Sequence, residues 1–161
     1  MLSNAGVDFL YIDVTNAVLY LDVVEELCRV SSEMRTEGIP TPDFCFTTNA
    51  NSGTTMNRLF DQFYAKGEYM DLWFFWEGKP LILGHEDDPA LLPHVRDFFT
   101  IKYSWAWTNA AGEPNHWQWL DLYPQDYGWS ISPDLPEQIP VSVAHHPSNP
   151  LGKSYHAGEQ P

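Results

Sequence analysis

The order of apolar patterns along the chain is the feature that most constrains its fold. The patterns are strand-like at 7–13, helical at 20–37, strand-like at 44–49, helical at 52–67 and strand-like on both sides of Glu77-Gly78. Strands that alternate with helices are typical of right-handed βαβ units around a parallel sheet. The sequence therefore predicts an α/β fold with about five core strands.

Turn residues support these boundaries. Gly38 and Gly67 follow the last apolar positions of the two helical segments, where glycine commonly ends a helix, and Ser52-Gly53-Thr54 is typical of the start of the second helix. Glu77-Gly78 predicts a hairpin turn between 72–76 and 79–84. The remaining expectations are one or two helical turns within 89–97, a strand at 98–107, a loop at 108–138 and a strand at 139–145.

The charge of the chain excludes several classes of function. The formal net charge is −14, from 22 acidic and 8 basic residues. Nucleic-acid binders and proteins that dock on anionic lipid depend on Lys and Arg, so neither class fits. No apolar run approaches the ~20 residues of a membrane span, and no basic segment followed by an apolar one marks a signal peptide. The two cysteines, Cys28 and Cys45, are expected in the core of the fold.

Tryptophan is concentrated in one part of the chain. All seven tryptophans lie between Trp73 and Trp129, and ten of the 32 residues from Phe98 to Trp129 are aromatic. One interpretation is a large loop that packs over the sheet. The other is a set of flat platforms on which sugar rings stack. Both interpretations place a Trp-rich loop beside the α/β core.

Polar or tryptophan side chains follow each predicted strand, at the edge where α/β enzymes place their working groups. Asp13 is the candidate working carboxylate. The candidate substrate-binding residues are Asn16, Asn49, Asn51, His85, Trp105, Trp107 and His146. Carboxylates, amides, imidazoles and indoles around one rim suit glycan recognition, because the first three bind hydroxyl groups and indoles cover the CH-rich faces of sugars.

Each of these residues also has a structural interpretation. Asp13 could cap the following helix, and Asn49 and Asn51 could be turn residues at a helix entrance. His145 and His146 point to opposite faces of a strand, so we expect no shared metal. The sequence contains no GxGxxG, GxxxxGK[ST], GxSxG or HExxH motif. No cofactor is predicted.

Four segments carry a resemblance to a known group of proteins. They are 8–16, 71–83, 98–107 and 136–147, and the most distinctive piece is Gly-Lys-Pro-Leu-Ile-Leu at 78–83. Together they resemble bacterial glycoside-hydrolase-like proteins similar to the endo-α-mannosidase and α-1,3-glucanase-like (β/α)8 barrels, known as family 71/99-like. The resemblance covers nearly the whole chain.

The resemblance implies a (β/α)8 barrel that acts on polysaccharide or glycan and is exported, either secreted or periplasmic. Because such a barrel takes about 250 residues, residues 1–161 are expected to form a single partial barrel domain, from near the second strand to before the seventh. The resemblance also implies a Trp-Asn-Glu-Trp-like segment, which is missing here, and a Gln where His145 stands. We therefore expect the chain to be inactive or poorly soluble alone unless it pairs with itself or with a missing half.

Two other functions remain open at this point. The first is a non-catalytic carbohydrate-binding domain that uses the same tryptophan rim, since only hydrolysis requires two carboxylates across the cleft. The second is a metal-dependent hydrolase built on His85, Asp87, His145 and His146. Both share the predicted rim with the glycoside-hydrolase-like hypothesis.

Overall fold

A computed structural model describes residues 2–103, 113–119 and 125–141 of the chain. The predicted site residues Trp105, Trp107 and His146, together with His145, lie outside the described residues. The chain divides into two compact units, Met1–Ile101 and Lys102–Pro161. No helix among the described residues is both long enough and apolar enough to cross a membrane.

The first unit alternates strands and helices in the predicted order. After a short 3₁₀ turn at Ser3–Ala5, its elements are β1 (Phe9–Asp13), α1 (Leu21–Thr36), β2 (Asp43–Thr47), α2 (Ser52–Leu59), a π-helical turn (Phe60–Tyr64), β3 (Phe75–Trp76), β4 (Lys79–Leu83), α3 (Pro93–Phe98) and β5 (Thr100–Lys102), the last of which reaches the unit boundary. The helices connect strands that lie side by side, as the alternation predicts.

The described strands form one five-stranded sheet in the order β1-β2-β4-β3, with β5 also paired to β4. β1 pairs with β2 in parallel, β2 pairs with β4 in parallel, and β3 pairs with β4 antiparallel through the hairpin at Glu77-Gly78. The left-handed backbone of Glu77 (φ 54°) and Gly78 (φ 83°) makes this tight connection. The predicted α/β fold is confirmed, and so is the hairpin.

Aromatic side chains fill the core between sheet and helices. The ring of Phe46 on β2 lies 5.5 Å from Phe63 and 5.7 Å from Trp73, and the ring of Tyr64 lies 4.6 Å from Trp73. From α1 the buried residues are Val24, Cys28 and Ser31, one helical turn apart. Cys28 and Cys45 are fully buried and free, which confirms the expectation for both.

Two predicted strands are shorter than their patterns indicated. In the segment 72–76, only Phe75 and Trp76 form a strand, and they pair with β4. Trp73, two residues earlier, instead makes an isolated parallel bridge to Phe44 of β2. In the segment 98–107, Phe98 ends α3 and the strand begins at Thr100. Uninterrupted apolar runs do not reveal such changes of partner, because strand and helix ends look alike in them.

The last predicted strand, 139–145, is not a strand in its described part, 139–141. Ile139 and Val141 are 42% and 68% exposed, so the β-branched residues there do not face a core. Pro140 between them has no N–H to donate to a neighbouring strand.

Buried polar groups dominate the described part of the second unit. The ammonium of Lys102, whose side chain is 1% exposed, lies 3.3 Å from the carboxylate of Glu137. Lys102 also donates to Ser130 Oγ and, at 3.4 Å, to Asn115 Oδ1. Glu137 accepts further hydrogen bonds of 2.8 Å from Trp117 Nε1 and Ser130 Oγ. The side chains of this Lys102–Glu137 network therefore satisfy one another.

Candidate functional site

Asp13 lies at the carboxyl end of β1, opposite Thr47 of β2. Its Oδ1 accepts a 2.9 Å hydrogen bond from the backbone N–H of Thr15, two residues later. This contact is an Asx-turn, in which an Asp side chain binds the backbone of its own loop. The residue that caps α1 is Tyr20, with φ 50°, so the helix-cap interpretation of Asp13 is wrong. Asp13 is exposed, and its carboxylate can accept further hydrogen bonds from a ligand.

Asn16 belongs to the loop that follows β1. Its Oδ1 accepts from the N–H of Val18 at 3.0 Å, and its Nδ2 donates to the hydroxyl of Tyr20 at 2.7 Å. Both ends of the amide therefore fasten the β1–α1 loop. Asn16 is exposed at this edge, yet a ligand would have to share or replace these bonds.

The loop after β2 is joined directly to the loop after β1. The N–H of Ala50 donates to the carbonyl of Thr15 at 2.8 Å, which brings Asn49 and Asn51 to the same edge as Asp13. Asn51 precedes α2 with a left-handed backbone, φ 49°, and makes no side-chain capping bond. Asn51 thus has the structural role of a turn residue, while its exposed amide is still available to a ligand. Asn49 is half-buried.

A chain of hydroxyl groups connects the loop after β2 to the loop after β4. The N–H of His85 donates to Ser52 Oγ at 2.9 Å, Ser52 Oγ lies 2.7 Å from Thr48 Oγ1, and Thr48 Oγ1 donates to the carbonyl of Leu83 at 3.0 Å. Because Thr48 has one hydroxyl proton and uses it on Leu83, Ser52 is the donor to Thr48. His85 is half-buried, and its backbone is fixed beside α2.

Gly84 makes this close approach possible. A Cβ at Gly84 would lie 2.6 Å from Thr48 Oγ1 and 2.8 Å from Ser52 Oγ, so any side chain would push the two loops apart. Neither this contact nor the roles of Thr48 and Ser52 were predicted from the sequence. The signal was a glycine directly after an apolar strand, which indicates a close backbone approach.

Asp88 holds the other side of the same loop against α2. Its carboxylate accepts hydrogen bonds from the N–H of Gly53 at 2.8 Å and of Ala90 at 2.9 Å. The bond from Gly53, and then that from Ala90, lowers the pKa of Asp88 below its usual value. Asp88 therefore caps α2 from a distant loop, and its carboxylate serves structure.

Of the predicted site residues, the structure thus gathers Asp13, Asn16, Asn49, Asn51 and His85 on three neighbouring loops at the carboxyl edge of β1, β2 and β4. Exposed carboxylates of Glu86 and Asp87 follow His85 in the third loop. The arrangement offers hydrogen-bond donors and acceptors to a polar ligand. In the part of the chain that the structure describes, no three His, Cys, Asp or Glu side chains are grouped to hold a metal ion.

The tryptophans of the described residues divide between packing and exposure. Trp73 and Trp117 are 2% and 3% exposed, and the indole N–H of Trp117 binds Glu137, so these two side chains are packing residues. Trp119 is 47% exposed. Trp73 and Trp117 therefore pack in the interior of their own units, and Trp119 has the exposure that a sugar-stacking platform needs.

Comparison with protein-family models, with curated proteins and with solved structures found no match to this chain.

Proposed function

We propose that the carboxyl edge of β1, β2 and β4 is a glycan-binding rim of a glycoside-hydrolase-like protein. The observation that supports the proposal is the pair of loop-to-loop hydrogen bonds, Ala50 to Thr15 and His85 to Ser52, each under 3 Å. They bring one carboxylate, three amides and one imidazole to a single edge. An amide or a carboxylate can form hydrogen bonds to two neighbouring hydroxyl groups at once, and a sugar ring carries such neighbouring hydroxyl groups.

The parallel order of β1, β2 and β4 is compatible with a segment of a (β/α)8 barrel, and this barrel architecture is part of the proposal. In such a barrel the carboxyl ends of the strands carry the substrate site. The resemblance to family 71/99-like proteins supports the same substrate class, and with it an exported setting. Trp105, Trp107 and His146 stay predicted substrate-binding residues from the sequence alone.

Asp13 is the proposed working carboxylate of this rim. Glycoside hydrolysis requires a second carboxyl group, about 5–10 Å away depending on stereochemistry. Glu86 and Asp87 are exposed in the loop after β4 and are the candidates among the described residues of the rim. If neither serves, the rim binds glycan without cleaving it, as a carbohydrate-binding domain does.

The test is binding of soluble α-glucan, α-mannan, β-glucan and chitin oligosaccharides, followed by calorimetry and by release of reducing ends. We expect one class to bind, and Asn49→Ala to weaken it about tenfold, the value of one or two lost hydrogen bonds. Asp13→Asn retains the turn to Thr15 but removes the charge, so it should abolish hydrolysis and leave most of the binding.

Asp22→Asn is the matched control, because Asp22 is an exposed acid in the first turn of α1 that is not part of the rim. Equal binding by the chain and its Asn49→Ala variant would contradict the proposed rim, as would the failure of all four glycan classes to bind. Binding without release of reducing ends would assign the chain to the carbohydrate-binding alternative.

A further inference from the structure

A surface cleft of the first unit lies between the loop that joins β1 to α1 and one side chain of α2, Arg58. Its volume of about 430 Å³ is within the range of small-molecule sites, about 300–1,000 Å³. The other lining residues are the end of that loop and the first turn of α1. None of the rim residues that the structure describes lines this cleft, so it is a second place at which the chain can receive a ligand.

The loop wall of the cleft is held in place by hydrogen bonds. Ala17 and Tyr20 both have a left-handed backbone, φ 63° and 50°, which a residue other than glycine keeps only when its surroundings hold it there. The amide of Asn16 binds the hydroxyl of Tyr20 at 2.7 Å and the N–H of Val18 at 3.0 Å. Arg58 donates to the carbonyl of Ala17 at 3.3 Å. These bonds join the loop to α2 and shape the cleft.

Most of the lining of the cleft is apolar. Val18 and Val23 line it and are 48% and 68% exposed, and Leu19 lines it while it is almost fully buried. The ring of Tyr20 is half exposed beside them. Aliphatic side chains give the hydroxyl groups of a sugar no hydrogen-bond partner, whereas they gain free energy when they cover an apolar group. The lining therefore favours a ligand with an apolar body.

Two opposite charges line the same cleft, the guanidinium of Arg58 and the carboxylate of Asp22. Among the described residues neither group makes an ion pair, whereas Arg29 and Arg35 both pair with carboxylates. Arg58 uses one N–H on the carbonyl of Ala17, and its other N–H groups can still donate. A guanidinium binds a carboxylate through two parallel N–H groups, and a carboxylate accepts hydrogen bonds from an ammonium group. The cleft thus offers a partner for each charge of a zwitterion.

We propose that this cleft binds a free α-amino acid with an apolar side chain. The carboxylate of the ligand binds Arg58, its ammonium group binds Asp22, and its side chain packs against Val18, Tyr20 and Val23. In a free α-amino acid the two charged groups and the apolar side chain are attached to one carbon, so a small cleft can contact all three at once. This site goes beyond the proposed glycan rim and does not depend on it.

The charge of the chain favours a zwitterion over an anion. The formal net charge is −14, which repels anions at long range, and Asp22 would repel a bound anion at short range. An amino acid has no net charge, so its approach to the cleft is not opposed. A simple amine would bind Asp22 but would leave Arg58 without a carboxylate. Only a ligand that carries both charges uses both side chains.

The experiment is a titration of the 161-residue chain with L-leucine and with L-phenylalanine, followed by backbone amide NMR shifts. We expect a Kd on the order of 0.1–1 mM for so small a ligand at an open cleft, with the largest shifts at Val18, Tyr20 and Val23. Three related compounds each lack one feature of leucine: 4-methylpentanoate lacks the ammonium group, 3-methylbutylamine lacks the carboxylate, and L-serine lacks the apolar side chain. Each should bind about tenfold more weakly or worse.

Arg58→Gln and Asp22→Asn should each weaken leucine binding about tenfold or more, and Asp22→Asn should also remove the preference for leucine over 4-methylpentanoate. A general loss of structure would not change that preference, and protection of the two buried thiols shows that each variant is folded. Lys79→Gln and Asp61→Asn are the matched controls, because each removes one charge from an exposed residue outside the cleft. Equal binding of leucine and 4-methylpentanoate by the parent chain would overturn the proposal. So would the absence of amino-acid binding, or binding that both Arg58→Gln and Asp22→Asn leave unchanged.

Discussion

The interiors of the two units are built in opposite ways. The first unit buries apolar and aromatic side chains, with Phe46 surrounded by Phe63, Tyr64 and Trp73. The second unit, in its described part, buries Lys102 and Gln118, and Lys102 lies 5.6 Å from the ring centre of Trp117. Apolar burial is the main source of stability in the first unit. In the second unit, Lys102, Ser130, Trp117 and Glu137 form a buried network of hydrogen bonds and charges.

This difference determines how each interior responds to change. Apolar contacts are non-directional. The free energy of unfolding lost with a truncated side chain therefore increases with the buried area removed and with the volume of the cavity left behind. A buried polar network depends on every partner, because one missing group leaves a charge or dipole without compensation. In the first unit, the loss of stability caused by a mutation should therefore depend on the size of the side chain removed. In the second unit, it should depend on the charge and the protonation state of the groups that remain.

The largest effect is expected from Phe46→Ala in the first unit. Phe46 is fully buried, and its loss should lower the free energy of unfolding by about 3–5 kcal/mol. Cys28 and Cys45 are buried in the same unit, so the rate of thiol labelling in increasing denaturant measures its opening. Val23→Ala, at an exposed position, is the control and should change labelling little. A Phe46→Ala variant as resistant as the parent would contradict the proposed core.

Acidification should act on the second unit through Glu137. Burial raises the pKa of Glu137, but hydrogen bonds from Trp117 and Ser130 and the charge of Lys102 outweigh it, and the net pKa lies below the usual value near 4.5. The unfolded chain then binds the proton first. The stabilisation from this carboxylate is thus present above about pH 4.5 and is lost as the pH falls through the lower native pKa.

The measurement is an acid titration of the local environment of Trp117, followed by the NMR signal of its indole N–H. In the parent chain the signal should shift as Glu137 is protonated, and Glu137→Gln should remove that shift. Glu113→Gln changes an exposed acid of the same unit and should leave the shift in place. A pH-independent signal in the parent would show that Trp117 does not bind the carboxylate of Glu137.

The first unit was the more predictable of the two from sequence. Apolar spacing located α1 to within a residue at each end, and the patterns around Glu77-Gly78 located the hairpin. Residues at the ends of β1, β2 and β4 were placed at one edge because parallel strands end together. What spacing could not show is the contact of Gly84 with Thr48 and Ser52, which depends on two loops far apart in sequence.

Apolar spacing did not predict the structure of the second unit, for a physical reason. Its described contacts join single residues, as in the bridges Tyr103–His116 and Gly128–Gln138, rather than periodic elements. A lysine in a strand pattern is normally expected at the surface, so nothing at Lys102 indicated a buried charge. Its partners make that burial tolerable, and two of them, Ser130 and Glu137, lie about thirty residues away along the chain.

The smallest effect is expected at Leu92, where a polar group would help the apolar unit. Leu92 is the N-cap of α3 with an extended backbone (φ −69°, ψ 139°), Pro93 follows as the first helical residue, and no side chain accepts a capping bond. Leu92→Ser supplies the missing acceptor and should stabilise the first unit by about 0.5–1 kcal/mol. Leu92→Ala is the control, because it removes the same exposed apolar surface without adding an acceptor. Slower thiol labelling in Leu92→Ser than in Leu92→Ala is the expected result, and equal labelling would show that the first turn of α3 gains nothing from a cap.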